Sequence, residues 1–102
     1  MKKETILQKL KELKPKYQKE GFCIEALFGS YAKDTATPKS DIDILVEIKP
    51  QFVSKYKMKS IQRIGEIKNE LKEIFHTDID IADKTGMGKT AKKFIIDRAI
   101  YV

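Results

Sequence analysis

The chain has 102 residues, room for one domain with a single modest core. Apolar residues make up 41% and charged residues 35%, the balance of a soluble globular chain. No apolar run reaches the length of a membrane span, and the basic start, MKKETILQKLKELK, lacks the continuous apolar centre of a signal peptide.

The formal net charge of +6 suits a polyanionic ligand such as a nucleotide or RNA. It equally suits a lysine-rich, solvated surface. The lysines are scattered and not interleaved with aromatics, so any contact with nucleic acid is expected to be indirect. The one cysteine, Cys23, cannot form an internal disulfide and reads as a small, partly buried hydrophobe. These features together fit the cytoplasm.

In chain order, Ile6, Leu10, Leu13 and Tyr17 recur at helical spacing, which predicts a helix over 3–20. Pro15 should break or kink it, or start a second short helix, and Gly21 ends it. Residues 24–28 read as a short strand, 31–39 as a polar loop and 42–48 as a second strand closed by Lys49-Pro50. Residues 51–57 open the next helix or form a flap facing a partner. Ile61, Ile64, Ile67, Leu71, Ile74 and Phe75 mark a long amphipathic helix. A third strand is expected over 78–82, then a loop and a last helix near 90–99 with Thr90 as its N-cap. This order predicts a single α/β (α+β) domain over 1–102, with helices packed on one side of a small mixed sheet.

The stretch that carries chemistry is FGSYAKDTATPKSDIDILVE, residues 28–47. Asp41 and Asp43 are two apart on a predicted strand, so both point to one face, while Ile42, Ile44 and Val46 point to the other. Carboxylates that close repel unless a cation lies between them. Gly29-Ser30 offers backbone N–H groups and a hydroxyl to a phosphate. A phosphate cradle beside paired aspartates is what metal-assisted nucleotidyl transfer needs.

The spacing from Gly29-Ser30 to Ser40-Asp41-Ile42-Asp43 resembles the nucleotidyltransferase signature G-S-x-A-R-G-x(5)-S-D-x-D. In length and layout the chain resembles the minimal nucleotidyltransferases (MNT) of the DNA polymerase β-like superfamily. That resemblance implies the polymerase β-like fold, ATP as substrate and two Mg²⁺ ions held by Asp41, Asp43 and a third acid. Ile79-Asp80-Ile81 fits the family's apolar-Asp-apolar pattern for the third acid. Asp78 is the runner-up, and Asp83 fits less well. Asp80 would also take the acceptor hydroxyl's proton. Gly29, Ser30, Lys33 and Ser40 would bind the nucleotide, with Lys33 in the usual place of Arg, a point charge without the bidentate fork. Asp34 departs from the family's Gly and brings negative charge near the phosphates.

The resemblance also implies a role: MNT proteins pair with HEPN ribonuclease toxins as antitoxins, and some adenylylate a tyrosine on the toxin. The readings left open are AMP transfer to such a partner, a weak or inactive module that neutralises it by binding, and transfer to a small molecule of aminoglycoside type. A chain this short has little material for an acceptor pocket, which favours a protein partner. Phe52, Val53 and Tyr56, with Ile100, Tyr101 and Val102, lie in irregular or terminal segments. Those not needed by the core would form an interface patch, with Lys55, Lys57 and Lys59 to steer an acidic partner. Residues 86–90, GMGKT, imitate the tail of a phosphate-binding P-loop, but Asp83 stands where the full pattern needs Gly. His76, at a helix end, reads as structural.

Overall fold

A computed structural model describes residues 2–86, 88 and 98–102. Helix α1 (Lys3–Gln18) leads into strand β1 (Phe22–Phe28), a four-residue helix α2 (Gly29–Ala32) and strand β2 (Ile42–Ile48). Helix α3 (Pro50–Tyr56), a 3-10 turn over Lys57–Lys59 and helix α4 (Ser60–Phe75) then bring the chain to β3 (Ile79–Asp83). A short strand β4 (Ile100–Tyr101) completes the sheet, in the order β3-β2-β1-β4. The sheet is mixed: β1 pairs antiparallel with both β2 and β4, and β2 pairs parallel with β3.

The parallel pair needs a crossover, and α3 with α4 supplies it. Ile67, Leu71 and Phe75 of α4 lie four residues apart and are buried. With Ile6, Leu10 and Tyr17 of α1 they cover one face of the sheet, where Phe22, Ile24, Leu27, Ile42, Ile44, Val46 and Ile79 complete the core. A bulge makes this possible. The register slips between Ile24 and Ala26, so Leu27 faces the core with Phe22 and Ile24, one strand position out of simple alternation. In β2 and β3 the core takes Ile42, Ile44, Val46 and Ile79, so by alternation Asp43 and Asp80 lie on the sheet face away from α1 and α4.

Several expectations change. Helix α1 runs through Pro15 without a break. It ends at Gln18, and Gly21 sits beyond it at φ 91, in the turn into β1. The added Cβ would come within 2.7 Å of Gln51 and 2.8 Å of the Phe52 nitrogen. The segment 51–57 is mostly helix, with Phe52 wholly buried rather than facing a partner. Ile61, counted on the buried stripe of α4, is 84% exposed because it lies in the first turn, ahead of the contact with the sheet. The third strand starts and ends one residue later than expected, so Asp78 precedes it and Asp83 belongs to it.

The C-terminal residues are not irregular. Ile100 and Tyr101 pair with Leu27 and Ala26, and the Val102 N–H donates to the Glu25 carbonyl at 2.9 Å. No signal marked this strand, since a two-residue edge strand is defined by its neighbour and not by its own pattern. The predicted helix near 90–99, its cap Thr90 and most of the GMGKT segment lie outside the described residues. Among the described residues no helix is long and apolar enough to cross a membrane.

Candidate active site

The site is assembled at one end of the sheet by strand register. Asp43 is the second residue of β2, and its cross-strand partner in parallel β3 is Asp80. Paired residues of adjacent strands point to the same face, so the two carboxylates are neighbours. On the other side Asp43 pairs with Phe28, the last residue of β1, and the chain turns there into α2. Asp41 lies one residue ahead of β2 and is exposed. Three acids and a glycine-serine turn thus converge from β1, β2 and β3.

Gly29 has a specific reason to be glycine. A Cβ there would stand 2.0 Å from Asp43 Oδ2 and 2.8 Å from its Cγ, and the backbone is at φ 76. Both facts exclude a side chain. The Asp43 carboxylate occupies the hollow that the missing side chain leaves, which fixes it against the start of α2.

The electrostatics of the cluster are unfavourable as they stand. Burial first, then the charges of Asp80 and Asp41, push the Asp43 carboxyl above its ordinary value. Like charges forced together this way are characteristic of functional sites. Among the described residues no three acidic, histidine or cysteine side chains stand close enough to enclose a metal ion by themselves. Mg²⁺ asks for less: it takes oxygen ligands, commonly one or two carboxylates, and fills its shell with substrate phosphates and water. An all-carboxylate set that repels itself fits that ion.

The other predicted site residues are distributed as follows. Ser30 lies in α2, and its carbonyl accepts from the Thr35 N–H at 2.9 Å. It is not the cap of that helix; Phe28 holds that position. Lys33 is exposed at the helix end, where its N–H donates to the Gly29 carbonyl at 3.1 Å. The Ser40 hydroxyl accepts from the Thr37 N–H at 2.8 Å, so it closes the 35–40 loop. Asp78 is paired with Lys72 at 2.9 Å and held below its ordinary value by it. Asp83 accepts from the Thr85 N–H and hydroxyl at 3.0 and 2.7 Å, which turns the chain at the end of β3. His76 caps α4 in a left-handed conformation at φ 53 and is exposed.

Asp34 also adopts left-handed backbone, at φ 60, where Asp is tolerated better than most residues. Its carboxylate is 3.0 Å from Lys3 Nζ, so its charge is answered by the start of α1. Beside the acids, a groove of about 870 Å³ opens between residues 38–41 and the end of α4, with Asp41, Lys72, Glu73, His76 and Asp78 on its walls.

Comparison with known proteins agrees with this geometry. A family model described as a nucleotidyltransferase domain matches residues 3–102. The chain belongs to the nucleotidyltransferase domain family. It is therefore an enzyme of the nucleotidyl-transferring kind. Two relatives from Methanocaldococcus jannaschii are named "Putative protein adenylyltransferase", MJ0126 and MJ0128. The first is 33% identical over 98% of this chain and 93% of its own length, the second 35% identical over 97% and 93%. Among solved structures, a "putative minimal nucleotidyltransferase" shares the fold with a TM-score of 0.76 at 22% identity, covering 100% of this chain and 97% of its own. A second, described as "toxin-antitoxin with AMP-PNP", has a TM-score of 0.60 at 19% identity and covers 99% of this chain and 72% of its own.

Proposed function

We propose that this chain transfers AMP from ATP to a hydroxyl group of a partner protein, in the cytoplasm, as the MNT antitoxin of a HEPN/MNT pair. The observation that carries the chemistry is the register of β2 and β3, which sets Asp80 beside Asp43, with Gly29 hollowed out against the Asp43 carboxylate. The protein acceptor is supported by relatives that carry the name protein adenylyltransferase, and a partner by the toxin-antitoxin neighbour. The HEPN identity is an extension of the family resemblance.

In this reading Asp41, Asp43 and Asp80 would hold two Mg²⁺ ions. Bound there, magnesium supplies positive charge to the phosphate oxygens and lowers the pKa of an acceptor hydroxyl. Gly29, Ser30 and Lys33 orient the triphosphate from the β1 side of the acids. Ser40, whose hydroxyl holds the loop ahead of Asp41, would add its contact to the nucleotide from that loop. The acceptor oxygen attacks the α-phosphorus of ATP, the bond to the β-phosphate oxygen breaks, and pyrophosphate leaves. The hydroxyl proton passes to Asp80. Asp34 is paired with Lys3, which offsets part of the negative charge it brings near the phosphates.

Co-expression with the product of the neighbouring reading frame, followed by mass spectrometry, tests this. The expected result is an AMP-sized mass increase on the partner that vanishes with Asp43→Asn. A stable complex with no modification would leave the binding-module reading in its place. Transfer to a free small molecule, with no complex, would defeat both.

A further inference from the structure

We propose that the corner formed by Val53, Met58 and Ile61 is a docking patch for a partner protein whose contact surface is apolar at its centre and acidic at its rim. The proposal takes from the reading above only that the occupant is a protein. It adds where that protein is held.

Among the described residues four large apolar side chains are left exposed by the core, and three of them fall within one short stretch: Val53 is 52%, Met58 98% and Ile61 84% exposed, with Tyr101 standing apart on β4. The three are local neighbours. The Lys57 N–H bonds to the Val53 carbonyl, Met58 follows directly, and Ile61 lies in the first turn of α4. Exposed aliphatic groups this close along the chain, beside a buried Phe52, are the kind of surface that a partner covers.

The corner is rigid and strained. Lys57 has φ 50 and ψ −121, a conformation that ordinarily calls for glycine. The Ser60 hydroxyl holds the turn by donating to the Lys57 carbonyl at 2.7 Å. In the same segment the Tyr56 ring packs at a tilt against Phe52, 4.9 Å between centres, and its hydroxyl donates to Glu20, which Arg63 grips through two nitrogens. A patch mounted on such a base loses little freedom on binding, which is how a few side chains come to dominate an interface.

Charge chooses the occupant. Lys55, Lys57 and Lys59 ring the patch and are exposed, and none forms an ion pair among the described residues. A second copy would bring the same three cations against them. Nucleic acid would find aliphatic groups where it needs stacking rings. A bilayer would meet a seven-residue helix, too short for the long amphipathic face that holds a protein to lipid. A protein with Asp or Glu around an apolar centre satisfies both parts.

The position matters for the chemistry. Helix α4 has 16 residues, about 24 Å at 1.5 Å per residue, with the patch at its first turn and the groove beside Asp41 at its last. A partner held at the patch leaves the acidic site open for its acceptor hydroxyl.

The test uses the full chain and the product of the neighbouring reading frame. Met58→Asp and Ile61→Asp should each weaken the complex by about tenfold or more, as truncation of an interface anchor does. Reversal of the three lysines to Glu should slow association and reverse its response to salt. Unfolding curves and partner-independent pyrophosphate release of Met58→Asp and Ile61→Asp should match the parent, since both side chains are largely exposed and lie away from the acids. Asp43→Asn should do the opposite, keeping the complex and losing the AMP mark, so the two proposals fail separately. Variants that bind like the parent would overturn the patch, as would a parent that forms no complex. So would a parent dimer that Ile61→Asp dissociates, or binding to phosphatidylglycerol vesicles that depends on the same residues.

Discussion

Two clusters of ionisable groups flank helix α4, and they solve the problem of crowded charge in opposite ways. Near its start, Arg63 sits among Glu20, Glu66 and Glu70, with contacts of 2.7 to 3.2 Å, and Tyr17 donates to Glu70 at 2.7 Å. Every acid there has a cation or a hydroxyl, and the Arg63 guanidinium pulls Glu20 down to about 2. At the other end Asp43 meets Asp80 and Asp41, and its carboxyl is pushed up by burial and by the charges of both neighbours. A compensated cluster ties α1, α3 and α4 together and is architecture. An uncompensated one costs the free protein stability and has a use only when something cationic arrives.

The comparison breaks most visibly at Asp43. On our proposal, Asp43→Asn should slow AMP transfer on the order of a thousandfold, as losing a metal ligand removes several kcal/mol at about 1.4 per tenfold. Pyrophosphate release with ATP, Mg²⁺ and the partner measures it, and a near-parental rate would return the acids to a structural role. Arg63→Ala should act on the other cluster, removing roughly 3 kcal/mol of stability by leaving half-buried carboxylates unpaired. Urea unfolding reads that loss, while transfer under conditions where the variant stays folded should persist.

Gly29→Ala joins the two kinds of effect. The new methyl must displace the Asp43 carboxylate, so we expect roughly 1–3 kcal/mol of destabilisation together with a fall in transfer. Retained activity in a well-folded Ala variant would show that Asp43 does not need its hollow. The smallest effect is a pH signature. Glu20 is held below its ordinary 4.5, so its contribution is present above that value and drains away as pH falls toward about 2. Stability measured from pH 5 downward should fall less steeply in Arg63→Ala than in the parent.

The difference between the clusters also explains what could be read from the chain. The acids were legible because β-strand alternation and the spacing of Gly29-Ser30 and Asp41-Asp43 are local patterns. So were the core stripes of α1 and α4. The choice of Asp80 over Asp78 rests on the family pattern; that Asp80 stands opposite Asp43 depends on the parallel register, which no local spacing encodes. The Arg63 network was invisible, since Glu20 and Arg63 are 43 residues apart and meet only through folding. The intact helix through Pro15, the two-residue β4 and the exposure of Ile61 likewise depend on neighbours in space. The sequence marks Gly29 as a phosphate turn, while its contact with Asp43, 14 residues on, arises only when β1 and β2 pair.

The most direct test of the central claim, that Asp41, Asp43 and Asp80 form a repelling cluster awaiting a divalent cation, is the thermal stability of Asp43→Asn beside the parent at neutral pH. A carboxyl whose folded value is raised above its ordinary 3.8 takes stability away as pH rises through that shift, and at neutral pH the penalty is complete. Without metal the variant should therefore unfold at a higher temperature than the parent. With Mg²⁺ and a non-hydrolysable ATP analogue the parent alone should gain by mass action, closing or reversing the gap. A variant that is less stable without metal, or that gains as much as the parent with it, would contradict the account.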